Sequence, residues 1–408
     1  MIVLRALHVA LHSVLFWFVS ADHYVGHGQK YTTLEAARDA MRLQPPEDSA
    51  LPVNVYLAPG RHILTQTFTL DSRDDAPVIY RSLDPTQRAK LHGGLQIPVE
   101  EFKSSGGSSS VVMEMNLFDY GARVGTNITT ASFGNGKFGD GGNRMELFVN
   151  GEPMHLAQDP NRDGDVRVFA GFENASNVTV SAAETSIDFQ DAERGTLWRE
   201  ALKPGSDDTS TSSSGRLHLH GYWAFDWAQN FVTVKDIAET SSGHHKITLD
   251  TVNGEAPSFG LAKNCRFYAV NALALLDQER EYFINTTSGD LFFIPPRELL
   301  RPEDVITVSL SEVALISVSN SRSPQQWRDM EIAVSRGSLA VFSNVSNLTI
   351  GPNMHFSNSY GDCVQISSNG GEDASGDEIV GQNINVINSV FENCGGSSLS
   401  ATASVWPR

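Results

Sequence analysis

The sequence predicts an all-β fold: a right-handed parallel β-helix, opened by one N-terminal helix and interrupted by an antiparallel β insertion. Helical periodicity appears in only a few short places, whereas short β-type segments separated by turn residues recur along a chain that holds 34 glycines in 408 residues. The C-terminal part carries an inexact repeat. Phe356-Ser357-Asn358-Ser359-Tyr360-Gly361-Asp362-Cys363-Val364 aligns with Phe391-Glu392-Asn393-Cys394-Gly395-Gly396-Ser397-Ser398-Leu399 at a spacing of about 35 residues, so that Phe, Asn and one Gly coincide. Upstream, Asn347-Leu348-Thr349-Ile350 matches Asn383-Ile384-Asn385-Val386 with a slip of one residue. A unit of strand, turn and strand cannot bury its inner face alone; it does so by stacking on the next copy at about 4.8 Å. Phe356 is then expected over Phe391 inside the stack, and Asn358 over Asn393 as a ladder of side-chain amides.

The elements follow in order. Met1 and Arg5 begin a mostly apolar stretch over residues 6–19 that ends in Val19-Ser20-Ala21, the pattern of an export signal over 1–21. His8, His12 and Ser13 interrupt it, and it is shorter than the roughly 20 apolar residues of a spanning helix. Residues 22–114 read as an N-terminal cap and the first coils. Leu34, Ala37 and Met41 give helical spacing over 31–42, and Thr32 with Glu35 has the spacing of a capping box. Such a helix would cover the open end of the first coil. Strands follow around Val53 to Leu57, Thr67 to Leu70, Val78 to Arg81 and Lys90 to Gly93. Residues 115–300 read as the antiparallel insertion. Met145 to Leu156 forms a hairpin about Asn150-Gly151, whose residues supply the positive φ angles of a tight turn. A second hairpin runs from Glu281 to Ile294, with further strands near Arg216, Phe231 and Lys246 and a helical turn within 270–276. Residues 301–408 return to the coils.

Charge excludes some partners. With 48 acidic and 30 basic residues the formal charge is −18, which repels nucleic acid backbones and anionic membranes. No later segment could span a bilayer, so the expectation is a secreted protein without a membrane span. Sequons at Asn127, Asn174, Asn177, Asn285, Asn344 and Asn347 fit that route and mark candidate glycosylation sites. Cys265, Cys363 and Cys394 cannot all pair within one chain. The repeat sets Ser398 opposite Cys363 and Ser359 opposite Cys394, so a disulfide between those two cysteines is left open.

Several stretches together resemble a known family. Tyr31-Thr32-Thr33-Leu34-Glu35-Ala36-Ala37-Arg38-Asp39, Val55-Tyr56-Leu57-Ala58-Pro59-Gly60-Arg61-His62, the run from Leu147 to Asn161, and Arg266-Phe267-Tyr268 with Asn271-Ala272-Leu273 through Leu291-Phe292-Phe293 resemble the right-handed β-helix proteins grouped with glycoside hydrolase family 141. The resemblance covers most of the chain after the signal and implies a pectin-lyase-like β-helix with an antiparallel β domain. It also implies cleavage of glycosidic bonds in complex polysaccharides, of fucosidase or xylanase type. Two departures stand out: the Gly- and Asp-rich turn before the helix is shortened to residues 24–30, and family members continue for several coils bearing acidic motifs. The chain is therefore expected to be truncated, with an incomplete site.

Hydrolysis by the common route needs two carboxyl groups across the scissile bond. Asp362, in Gly-Asp-Cys-Val beside an inward Val364, ranks first as a catalytic candidate, against the stronger reading of a turn aspartate that caps backbone amides. Glu392, next to the stacked Phe391, ranks second and is expected to point outward to solvent. Asp159 to Asp165 begins like a calcium loop, but its twelfth position is Ala170 where a bidentate Glu is needed, and neighbouring His244 and His245 point to opposite faces. No metal and no cofactor is expected. Trp223, Phe225 and Trp227 alternate and are expected in the core of a sheet, with Trp227 the exception, a candidate for stacking on a sugar ring. The expected partner is an extracellular polysaccharide. Competing functions are a polysaccharide lyase, disfavoured because no Arg or Lys lies between Arg336 and Arg408, and a non-catalytic carbohydrate-binding protein.

Overall fold

The computed structural model describes residues 22–43, 52–74, 76–105, 111–129, 144–161, 171–202, 217–241, 243–252, 255–297, 300–372, 378–379 and 381–403. The expected signal at 1–21 and most of the calcium-like stretch lie outside them. The described chain is mostly β, with extensive parallel sheets.

Three sheets are parallel throughout, and the chain visits them in the same order five times. The first contains Val53–Leu57, Val78–Ser82, Gln325–Arg328, residues 346–350 of the long strand Ala340–Ile350, and Gln382–Val386. In the second, Gly60–Ile63, Ala89–His92, Met330–Ser335, Met354–Ser359 and Ser389–Cys394 lie side by side. Phe68–Leu70, Ile316–Ser321, residues 340–343, Val364–Ser368 and Leu399–Ala403 form the third. Each visit to all three is one winding. His23–Val25 pairs in parallel ahead of the first winding.

Stacking follows the register read from the repeat. Phe356 pairs with Phe391, their rings nearly parallel with centroids 5.1 Å apart, and Asn393 Nδ2 donates to Asn358 Oδ1 at 2.9 Å. Leu348 faces Ile384 and Ile350 faces Val386, the expected slip included. An earlier winding escaped the sequence reading, because it repeats at a spacing of 24 rather than 35. The extra length lies in the sequence between Ser368 of the third sheet and Gln382 of the first. Cys363 and Cys394 form a disulfide even though each faces a serine in the ladder, their Cα atoms being 5.5 Å apart; Cys265 is free and buried.

Helix Leu34–Arg42 packs Leu34 and Ala37 into the same apolar core as Val25, Leu57 and Phe68. Its N-cap is Thr33, whose hydroxyl accepts from Ala36 N, so the expected cap at Thr32 is corrected by one residue. Arg42 fixes the helix by a two-pronged ion pair to Asp74, with contacts of 2.8 and 2.5 Å.

Antiparallel ladders fill the middle of the chain and begin before residue 115: Gly94–Ile97 pairs with Ile306–Ser309, which pairs with Leu147–Val149. The two expected hairpins form, Leu147–Val149 with Glu152–Pro153 and Glu281–Ile284 with Asp290–Phe293; Asn150 and Gly151 have φ of 55° and 82°. Gln229–Glu239 and its neighbours make a further sheet around Trp198, Trp223 and Phe267. Helices Leu117–Val124 and Ala192–Ala201 were not anticipated. Their signals are present, since Asn116 and Asp191 accept N-cap bonds and Gly125 closes the first helix at φ 73°, but each is too short for periodicity to reveal.

Phe356 is 1% exposed, whereas Phe391 is only partly buried. Phe356→Ala is expected to lower the unfolding free energy by about 3–5 kcal/mol, and Phe391→Ala by clearly less, in denaturant titrations followed by tryptophan fluorescence. Equal losses would mean the two rings do not sit at different depths in one stack.

Candidate functional site

Alternation along a strand sends Ile332, Phe356 and Phe391 inward on the second parallel sheet, so their neighbours face out. Register then assembles two outer rows. Arg61, Lys90, Glu331, His355 and Val390 make one; His92, Ala333, Ser357 and Glu392 make the other. Ala333 and Ser357 are small, which leaves depth between the rows. The hairpin Leu147–Pro153 stands at the side: Phe148 packs on Ala333 and Val334, and Asn358 Nδ2 donates to Gly151 O at 2.8 Å. The result is a cleft of ≈ 530 Å³ whose lining includes Arg61, Lys90, His92, Glu152, Glu331, His355 and Glu392.

Its charges are largely paired. Lys90 Nζ lies 2.7 Å from Glu331 Oε2, and His355 Nε2 lies 3.0 Å from Glu392 Oε2. His92 is buried, and burial, reinforced by the charge of Arg61, holds its imidazole down to about 4, so it is neutral at pH 7. Glu331 and Glu392 lie on strands separated by one intervening strand, the one that carries His355. With about 4.8 Å per strand and 3.3 Å per residue, their Cα atoms are roughly 12 Å apart. The Glu331 carboxylate turns to Lys90, on the strand away from Glu392, whereas the Glu392 carboxylate turns to His355 on the strand between them.

The sequence candidates divide. Glu392 points outward as expected and lines the cleft. Asp362 does not line it. Its Oδ1 accepts from Ser397 N at 2.5 Å and its Oδ2 from Ser400 Oγ at 2.7 Å and Gln365 Nε2 at 3.0 Å, tying two windings together. These bonds outweigh its burial and hold the carboxyl below its ordinary value. Glu331, Lys90 and Arg61 were missed. Lys90 and Arg61 stand on the far side of the insertion in sequence, and Glu331 sits in the winding whose 24-residue spacing went unread. Aligning Ile332 with Phe356 would have found it.

Trp223 is buried as expected, but Phe225 is 50% exposed and Trp227 71%, the two rings stacked at 5.4 Å. The expectation of a buried Phe225 fails because strand His218–Tyr222 ends before these residues, so strand alternation does not govern them. Asp159 is held by Arg194 Nε at 2.8 Å and Trp198 Nε1 at 2.6 Å. Among the described residues no group of three or more His, Cys, Asp or Glu side chains could hold a metal, and no helix is long and apolar enough to cross a membrane. Glu281, whose carboxyl burial pushes up to about 7, lies outside the cleft and accepts bonds from the backbone amides of Gln158, Asp277 and Gln278.

Among solved structures, one described as "Glycoside hydrolase" superposes with a TM-score of 0.57 at 13% identity, over 88% of this chain and 69% of that one, which shows a shared fold. Another, described as "The complex structure of XylC with xylose", gives 0.33 at 8% identity over 92% of this chain and 54% of that one, too low to carry an argument. No family model and no curated protein matches the sequence.

The depressed Asp362 carboxyl has a consequence for acid stability. A folded value below the unfolded one contributes stability that is complete above the unfolded value, near 3.8, and is lost as pH falls through the folded value. Thermal melts should therefore show a lower Tm for Asp362→Asn than for the parent at pH 7, with the two curves converging as the pH falls below 3.8 and through the folded value. A constant difference across that range would remove the ionised turn-cap role.

Proposed function

We propose that the chain is a secreted, right-handed parallel β-helix of the pectin-lyase-like kind, with an antiparallel insertion between His92 and Ile316, that hydrolyses glycosidic bonds of an extracellular polysaccharide in the cleft beside the Leu147–Pro153 hairpin. The observation that carries this reading is the pair Glu331 and Glu392, both on the outer face of one parallel sheet with His355 between them. Five windings in parallel register support the scaffold, and the fold shared with a glycoside hydrolase supports the substrate class.

In this reading Glu331 is the base. Lys90 compensates its negative charge, and it takes a proton from the water that attacks the anomeric carbon. Glu392 gives its proton to the leaving oxygen as the glycosidic bond breaks, and His355, in contact with it, exchanges that proton with solvent. With Cα atoms roughly 12 Å apart, the pair suits the wider carboxyl spacing, and hence inversion at the anomeric carbon, once Glu331 turns from Lys90 toward the substrate. Asp362 is structural here, and Trp227 is a peripheral contact for sugar rings. A lyase is the second reading, favoured by one observation: Lys90 and Arg61 bring basic side chains into the cleft that the C-terminal windings alone lack.

Reducing-sugar release from fucosylated and xylan-type polysaccharides tests the first reading. Glu331→Gln and Glu392→Gln should each lower kcat by about 10²–10⁴-fold with Tm unchanged, while Asp362→Asn keeps its activity, and NMR of the first product should show the inverted anomer. A rise in ultraviolet absorbance from unsaturated uronates would replace hydrolysis by elimination. Retained glycan binding with no bond cleavage by the parent protein would leave a binding protein.

Glycosylation follows from the same export route. Asn127, Asn174 and Asn177 are exposed, whereas the Asn344 amide gives both its hydrogens, to Asn320 Oδ1 at 3.1 Å and Gly370 O at 3.3 Å. Glycopeptide mass spectrometry of secreted protein should find glycans on the first three and an unmodified Asn344; an occupied Asn344 would contradict the amide ladder.

A further inference from the structure

A second cavity, of ≈ 400 Å³, lies between the start of helix Leu34–Arg42 and strand Gly60–Ile63, lined among others by His27, Glu35, Arg61, His62 and Gln66. Arg61 lines this cavity and the cleft alike, so its side chain borders both. Its guanidinium differs from the other nitrogen-bearing side chains of the cleft. Lys90 is taken by Glu331 and His355 by Glu392, while His92 is buried. Among the described residues no carboxylate comes within ion-pair distance of Arg61, although Glu331 on the same row acts on it from farther away. A planar, permanently charged fork bordering two cavities is suited to a carboxylate or sulfate group, which it can grip through two parallel N–H bonds.

We propose that the polysaccharide bound by this chain is acidic, and that Arg61 selects it by holding a carboxylate or sulfate group on a sugar several residues from the bond that is cut. This inference rests on the cleft being the glycan site. Distance along the sheet makes it specific. Arg61 is on the first winding and Glu392 on the fifth, four strand spacings or about 19 Å apart. No monosaccharide touches both, so recognition requires an oligomer that runs along the sheet from the second cavity to the carboxylate pair. The net charge of −18 opposes the approach of any polyanion, but with a screening length of about 8 Å at physiological ionic strength the contact itself is governed by the nearby charge of Arg61. Arg61 is an exposed side chain, and its replacement leaves the apolar core untouched.

Calorimetric affinities for oligomers of polygalacturonate, a sulfated galactan and neutral xylan, measured on the parent, Arg61→Gln and Arg61→Lys, test the proposal. The parent should bind one acidic series more tightly than xylan, with affinity rising with chain length and falling with salt. Arg61→Gln should lose roughly ten- to hundredfold on that series, the range for charge-assisted bonds, and nothing on xylan, and Arg61→Lys should fall between. The polyuronate and sulfated arms tell which acidic group is held. Equal affinity of parent and Arg61→Gln for the acidic oligomers overturns the inference, and so does xylan bound as tightly as either acidic series, with the glycan cleft itself left standing. Binding of none of the three overturns the glycan reading and this inference together.

Discussion

The structure depends on one constraint: each winding must lie in register on the next, because a parallel strand three to six residues long satisfies its backbone and buries its inner side chains only through its neighbours. The corners are where that register is kept. Asn344 and Asn320, Asn353 and Asp329, Asn393 and Asn358, and Asn383 and Asn347 all have positive φ and are bonded in pairs through their side chains, at 2.8 to 3.1 Å. Asparagine tolerates the left-handed region better than other residues with a side chain, and its amide replaces hydrogen bonds that the bend takes from the backbone. One residue thus serves as both hinge and rung, and the inward stack of Phe356 on Phe391 follows from the corner being fixed.

The insertion is placed by the same logic. The chain leaves the second parallel sheet after His92 and reaches the third only at Ile316, so the whole antiparallel part hangs from a single corner. Gly93 and Gly94 make the exit. A Cβ on Gly93 would come within 2.6 Å of Val334 O and one on Gly94 within 2.9 Å of Val308 O, both backbone atoms that cannot yield. Close packing there brings Ile306–Ser309 beside Gly94–Ile97 and, one strand on, presents the hairpin that walls the cleft.

How much was legible follows from which interactions are local in sequence. The register of Phe356 on Phe391, the Asn358 to Asn393 ladder, the Asn150-Gly151 turn and the N-terminal helix all lie in short motifs whose chemistry is carried by the residues themselves. Glu392 was legible as an outward residue for the same reason. The cleft was not, because it is made of rows that run across strands: Arg61, Lys90, Glu331 and His355 are neighbours only after the stack forms. Asp362 drew attention through a conspicuous motif, yet its oxygens are consumed by Ser397, Ser400 and Gln365, contacts no spacing rule reveals. Phe225 was placed in the core by strand alternation, which holds only as far as the strand does.

Val334 shows how floor and wall are joined. It occupies the corner position filled by Asn358 and Asn393 in the next two windings, but as a β-branched residue at φ 62° it is a backbone outlier, a conformation that costs about 1–3 kcal/mol. What compensates is burial: Val334 and Phe148 are each 2% exposed, and covering two such side chains contributes about 1.5–3 kcal/mol apiece. The corner has given up an amide rung for an apolar contact with the hairpin, so the wall is held against the floor at the winding that carries Glu331. Glu152, by contrast, rides on a two-residue ladder at the hairpin tip. A pair of groups that must keep a fixed separation is better sited on strands of one continuous sheet, where spacing is set by backbone hydrogen bonds, than on a tip. That is the physical reason the proposed chemistry is placed on Glu331 and Glu392, with Glu152 left at the rim.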